Sequence, residues 1–318
     1  MPAYFDEGFS VREPAWHGLA TVLDDYPGRE EAMRLAGHNW RVLEQSVFTA
    51  PMSKGIEGFK ALVREDTKQV LSVVRDSYKV IQNDTLWDII DAIMDQEKVK
   101  YETAGVLRDG GVTWVLARLN EPSSVPGDNT EIYPYVLVSN SHDGTAAARA
   151  HAVSVRVVCW NTFTAAESQS KRSGLRYTFR HTQNVMDRIE EAKQALAVTR
   201  HEHEEFMHIA RDLAEVKVNS DEVKHFLERF FPMPPEDVTS ERHKRNVMDA
   251  RRQVNDIIDG ETIPNAHKRT AYGLWQAGIE YLDHYRRANS PETYFKRGVF
   301  DSTQSKQRLA KIAAEVAG

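Results

Sequence analysis

Residues 101–119 read YETAGVLRDGGVTWVLARL. Two runs, 101–107 and 112–119, flank Asp109-Gly110-Gly111. Successive side chains of a strand point to opposite faces, so an alternating run can bury one side and leave the other free. Asp-Gly-Gly supplies the positive-φ geometry that a short hairpin loop demands. The stretch predicts a β-hairpin and therefore a sheet in the first half of the chain. Working outward, residues 41–48 and 69–74 read as strands, as do 133–139, 152–158 and 177–182. Asn140-Ser141-His142-Asp143-Gly144 reads as a turn, because Asn and Asp tolerate left-handed backbone and Gly prefers it. Asp84 is placed to cap a helix in which Leu86, Ile89, Ile90 and Ile93 recur at helical spacing.

Past Gln183 the pattern turns helical. Val185, Ile189, Ala192, Leu196, Thr199, His203, Phe206, Ala210 and Leu213 step by three or four, which describes one long helix burying one stripe. Shorter helices are predicted at 221–231, 240–258, 265–287 and 305–317, and Pro232, Pro234 and Pro235 end the first of these. The layout is α+β: a twisted, mostly antiparallel sheet with a long backing helix, followed by an all-helical C-terminal region. It divides into a sheet domain over 1–182 and a helical domain or arm over 183–318.

The 318 residues suffice for one large or two ordinary domains. No apolar run approaches the roughly 20 residues that span a bilayer, and the N-terminus lacks the basic and apolar regions of a signal peptide. Membrane partners are therefore not expected. Cys159 is the only cysteine, which excludes an internal disulfide and fits a reducing cytoplasm.

Charge is unevenly spread. Residues 144–186 hold Arg149, Arg156, Lys171, Arg172, Arg176 and Arg180 against one acid, Glu167, whereas the rest of the chain carries 35 cations and 46 acids. A local positive excess in an acidic protein marks where phosphate contact can occur. Trp160, Phe163, Tyr177 and Phe179 interleave with these cations, the mixture that single-stranded nucleic-acid sites use for stacking and phosphate tracking. The same alternation also suits a core-facing strand, and the cations suit a solvated face.

Several phrases occur here in a familiar order: Ala15-Trp16-His17-Gly18-Leu19, Ser77-Tyr78-Lys79-Val80-Ile81-Gln82-Asn83, Tyr101-Glu102-Thr103-Ala104-Gly105, Ser139-Asn140-Ser141-His142-Asp143-Gly144 and Val155-Arg156-Val157-Val158-Cys159-Trp160-Asn161-Thr162. Arg180-His181-Thr182 and Glu280-Tyr281-Leu282-Asp283-His284 continue the series. Together they resemble the phage/plasmid-like protein family of unknown function, over nearly the whole chain. The family commonly carries Gln after the cysteine, where this chain has Trp160. The resemblance implies an origin on a mobile element and a bacterial host cytoplasm, and it supplies no catalytic residues.

Three functions follow as expectations. The first is a non-enzymatic, phage-encoded protein that binds single-stranded nucleic acid, an annealing factor among the candidates, with Arg149, Arg156, Lys171, Arg172, Arg176 and Arg180 on phosphates. Homo-oligomerisation would align their basic strips into one groove. The second is an interaction protein for a host or phage partner. The third is a metal-dependent enzyme: His201, Glu205 and His208 share a helical face with Asp212, and Glu205-x-x-His208 and Glu222-x-x-His225 have the spacing of di-iron bundles. Charged residues on the polar face of an amphipathic helix are the default reading of that pattern, so no metal and no cofactor are expected. Cys159, with His142 or His181 as base and Asn140 or Asn161 as orienter, sits at the end of an apolar run, where a thiol is inert. No phosphate loop or dinucleotide fingerprint is present.

Overall fold

Why the hairpin forms is visible in its turn. In the computed structural model, Arg108, Asp109 and Gly110 all have positive φ (58°, 55° and 102°), and this compact turn joins β6 (Lys100–Leu107) to β7 (Val112–Arg118) with Leu107 opposite Val112. The structure describes residues 5–12, 20–93, 100–145, 148–156, 161–163, 176–179, 187–234, 241–286 and 303–316.

From this hairpin the sheet spreads both ways. β1 (Phe5–Val11) pairs antiparallel with β6 and parallel with β2 (Thr21–Leu23). On the other side β7 pairs with β8 (Ile132–Ser141), and β8 with β9 (Ala148–Arg156). The outer edge of β9 is shared by β10 (Asn161–Phe163) and β11 (Arg176–Phe179), which completes an eight-stranded sheet. A second sheet of three antiparallel strands consists of β3 (Val42–Thr49), β4 (Lys54–Arg64) and β5 (Val70–Arg75).

Helices cover one face of the large sheet. Phe9, Ala104, Val115, Val136 and Ala150, contributed by five neighbouring strands, pack with Ala32 of α1 (Arg29–Leu35) and with Leu86, Trp87, Ile89 and Ile90 of α2 (Asn83–Ile93). The long α3 (Asp187–Glu215) runs against β9, β8 and α2. Its Phe206, Met207, Ala210 and Leu213 also enter a second core with α4 (Ser220–Phe230), α5 (Glu241–Asp259), α6 (Ala271–Glu280) and α7 (Thr303–Val316). Ile132 at the start of β8 belongs to that helical core, so the two halves are joined through apolar packing. Every residue of α6 is buried, and a π-helical turn, Tyr281–Tyr285, extends it.

The fold is α+β as the sequence pattern implies, with four local corrections. Asp84 does not precede its helix; it lies in the first turn of α2, where its carboxylate accepts the Thr85 N–H at 2.8 Å. Residues 140 and 141 are strand rather than turn, because Asn140 and Ser141 stay in register with Thr113 and Val112. The helix expected from residue 265 starts at Ala271, since the Thr270 side chain caps it by accepting the Gly273 N–H. The sheet is not single: β4, with Gly55, Gly58 and several charges, has little strand propensity and is specified by its partners β3 and β5.

Candidate functional site

Buried polar groups are the place to look for chemistry, and many of them have a structural explanation. Several of the sequence phrases quoted above meet in space. Asn140 Nδ2 donates to the Ile81 carbonyl, and Tyr78 Oη donates to that of Ser141. Asn83 Nδ2 donates to the carbonyls of His38 and Trp40, which leaves its Oδ1 to accept from His142 Nε2 at 2.9 Å. His38 Nε2 donates to the Gly105 carbonyl while its Nδ1 accepts the Trp87 indole N–H at 3.0 Å. Both bonds require the neutral ring, and burial lowers its pKa to about 4. Asp143 accepts from Ser141, Thr145 and Arg108; burial opposes its charge, but these donors hold its pKa below the ordinary carboxylate value. This network joins the far end of β8 to the entry of α2. It is a clamp, and His142 is committed to it rather than free to serve as a base.

The residues predicted to carry function fall into three groups. Arg149 is half-buried on β9, Arg156 ends that strand, and Arg176 starts β11. Register places Arg149 opposite Thr178 and Arg176 opposite His151, so Arg149 and Arg176 are diagonal neighbours on adjacent strands. Arg156 stands opposite Asn161 on the same sheet edge. Lys171, Arg172 and Arg180 lie outside the described residues, as do Cys159 and His181. On α3, His201 contacts Glu205 at 3.5 Å and His208 contacts Asp212 at 2.9 Å, two exposed side-chain contacts along one helix. Glu222 is consumed by a capping box, its carboxylate accepting the Asn219 N–H at 2.7 Å, and His225 is exposed. Among the described residues no three His, Cys, Asp or Glu side chains gather into a group that could hold a metal. His203 is a core histidine, bonded to Ser154 Oγ at 2.9 Å and Ser123 Oγ at 3.0 Å, and burial lowers its pKa to about 4.

A different cluster stands out on the face of the large sheet turned away from the helices. Arg118 alternates along β7 with Ala117 and Leu119, which belong to the helix-side core, so it projects to the opposite face. A bulge between Tyr101 and Thr103 inserts Glu102 into β6 and brings it beside Arg118. Both side chains are buried, at 6% and 4% exposure, yet Arg118 Nε is 3.9 Å from Glu102 Oε2, too far for a hydrogen bond. Glu102 has better partners: it accepts from Tyr26 Oη at 3.0 Å and Tyr135 Oη at 3.3 Å. Burial still raises its pKa, against the pull of Arg118, Tyr26 and Arg12.

Arg118 instead lies over two aromatic rings, 4.1 Å from the Tyr133 centroid and 5.0 Å from that of Tyr26. Two more cations crowd the Tyr26 ring: Arg12 at 4.9 Å and Lys100 Nζ at 5.4 Å. Arg12 is exposed and sits at φ 68°, the left-handed region that a bulky residue seldom occupies. Among the described residues neither Arg12 nor Lys100 forms a salt bridge; Lys100 donates to Asn120 Oδ1 at 3.1 Å. Partial burial and the charges of Arg118 and Arg12 lower the Lys100 pKa. The result is three cations and three tyrosines around one buried carboxylate, with the exposed Glu131 accepting from Tyr133 Oη at 2.6 Å at its margin, a positive excess that can hold an anion.

Sequence reading passed over this cluster. The available signal was Arg118 itself, a charge in the buried run Val112–Arg118, where charged side chains are rare unless paired. Arg12 and Tyr26 carried no such signal, because only the pairings of β2 with β1 and of β1 with β6 bring them to Arg118.

A family described as Domain of unknown function (DUF932) matches residues 70–312. That span includes Lys100, Glu102, Arg118, Tyr133 and Tyr135, while Arg12 and Tyr26 precede it. No curated protein and no solved structure matches the chain.

Proposed function

The chain belongs to the family described as Domain of unknown function (DUF932), and on that premise we propose that it is a non-enzymatic protein that binds single-stranded nucleic acid, with strand annealing as the activity to test. An origin on a phage or plasmid and action in a bacterial cytoplasm belong to the same proposal, and rest on the phrases of sequence quoted above. The observation that supports it best is the β9–β11 register. Residues at diagonal positions on adjacent strands are roughly 7–8 Å apart, and Arg149 and Arg176 hold such positions at the sheet edge that also carries Arg156. Lys171, Arg172 and Arg180 lie close in sequence to that edge.

Titration of labelled single strands against salt tests the reading. Six phosphate contacts give a log–log slope of about −4, at roughly −0.7 per contact on single strands. Arg149→Glu with Arg176→Glu should weaken binding and flatten that slope. A flat slope in the parent protein would end the proposal.

A second reading, association through protein surfaces, is favoured by the small sheet. Phe59, Val70 and Val73 are 43–57% exposed, and Phe48 and Met52 at the β3–β4 hairpin are 61% and 78% exposed. Exposed apolar patches of this kind mark association surfaces. Sedimentation of the protein and of a Phe59→Lys, Val73→Lys variant distinguishes self-association through this sheet from a monomer.

A further inference from the structure

We propose that Arg118, Arg12 and Lys100 form a binding site for a phosphate group, at the end of β7 on the face of the sheet turned away from the helices and separate from the β9–β11 edge.

Burying a guanidinium is costly unless hydrogen bonds replace the lost water. Arg118 is 5% exposed, its Nε is fully buried, and among the described residues no acceptor lies within hydrogen-bonding distance of that nitrogen. The nearest carboxylate, Glu102, is already engaged by Tyr26 and Tyr135. A buried arginine whose acid turns toward other donors does not behave as half of a structural salt bridge. Its guanidinium fork matches phosphate, which it can bind through two parallel N–H···O bonds.

Charge points the same way. Three cations face Glu102 and, across Tyr133, the exposed Glu131 that accepts from its hydroxyl at 2.6 Å, so the cluster keeps a positive excess, and a phosphate monoester carries about −1.5 to −2 near neutral pH. Contact with the rings of Tyr26 and Tyr133 restrains Arg118, which limits its reorganisation when an anion arrives. Arg12 and Lys100 line the approach, exposed and half-buried respectively. The left-handed backbone of Arg12 is what turns the chain at the end of β1, where its side chain reaches the Tyr26 ring.

This site does not rest on the nucleic-acid reading, since it uses none of the cations at the β9–β11 edge. Calorimetric titration of the full chain with inorganic phosphate is the direct test. One saturable site is expected, competed by sulfate. Arg12→Gln and Lys100→Gln, both at the mouth, should each weaken it about tenfold, equivalent to about 1.4 kcal/mol, with circular dichroism unchanged. Arg149→Gln should leave it intact. Two further titrations identify the source of the phosphate: a nucleoside 5′-monophosphate, and a short oligonucleotide with and without a 5′-phosphate. Preference for the phosphorylated strand end would assign the site to nucleic acid, and equal affinity for the mononucleotide to a free ligand. Absence of saturable phosphate binding, or binding undiminished in a folded Arg12→Gln, Lys100→Gln double variant, would overturn the proposal. Neither outcome bears on the salt slope measured for the sheet edge.

Discussion

Two buried cation–carboxylate pairs lie in different halves of the molecule, and they are built to opposite designs. In the helical half, Lys306 of α7 and Asp283 of the π-helical turn are 4% and 6% exposed and meet at 2.7 Å. In the sheet, Arg118 and Glu102 are as deeply buried, at 6% and 4%, but stand 3.9 Å apart. The first pair makes the short, charge-assisted bond that offsets desolvation. The second does not, and adds two more cations nearby. Equal burial with unequal bonding separates a charge kept to hold helices together from a charge kept for something that arrives later.

Removing one partner from each pair is the strongest way to break this comparison. Lys306→Met leaves Asp283 buried opposite an apolar side chain, and should cost about 3–5 kcal/mol in chemical denaturation. Acid should produce the next largest effect, through the polar network around His38 rather than the Arg118 cluster. Unfolded histidine titrates near 6.5 and folded His38 at about 4, so between those values the unfolded chain takes up the proton first. Stability is then complete above pH 6.5, falls as pH is lowered, and has lost about 3 kcal/mol from His38 by pH 4. A His38→Gln variant should show a shallower acid limb over that window. A limb unchanged by the substitution would show that the Gly105 and Trp87 bonds do not fix the neutral ring.

Arg118→Met should cost only about 1–2 kcal/mol, less than the Lys306 effect. Glu102 keeps its two tyrosine donors, and burial already favours its protonated form. The substitution also relieves repulsion among three cations. If both Met variants lose the same stability, Arg118 is a structural charge after all and the contrast fails.

How much of this was legible beforehand follows from the kind of signal each part requires. The hairpin, the long helix and the α+β layout depend on local alternation, helical spacing and a Gly-Gly turn, all of which lie within short windows of sequence. His203 was readable as a core residue because it steps with Phe206 and Ala210 on the buried stripe of α3. The basic island was likewise visible as composition. The Arg118 cluster was not, for two reasons. A bulge at Glu102 breaks the alternation that would have marked it as facing Arg118. Arg12 is more than 100 positions from Arg118 and reaches it only because β1 lies beside β6, a pairing that no local pattern encodes. The second sheet was missed because β4 is mostly exposed and glycine-bearing, so its neighbours rather than its own propensity hold it.

The smallest expected effect gives the finest view of the cluster. Arg12 occupies left-handed backbone at φ 68°. For a non-glycine residue that conformation costs roughly 1–2 kcal/mol. Glycine removes the steric cost but enlarges the unfolded ensemble, which takes back about 0.4–1 kcal/mol. Arg12→Gly should therefore stabilise the fold slightly, by about 0.5–1 kcal/mol, and Arg12→Asn should do nearly as well because Asn tolerates the same geometry. Both remove the exposed cation over Tyr26 and should weaken phosphate binding. A gain in stability together with a loss of anion affinity is the signature of backbone strain retained to place a charge. If both variants instead destabilise the protein, the Arg12 side chain is holding Tyr26 in place, and the Arg118 cluster has a structural purpose that its hydrogen bonding conceals.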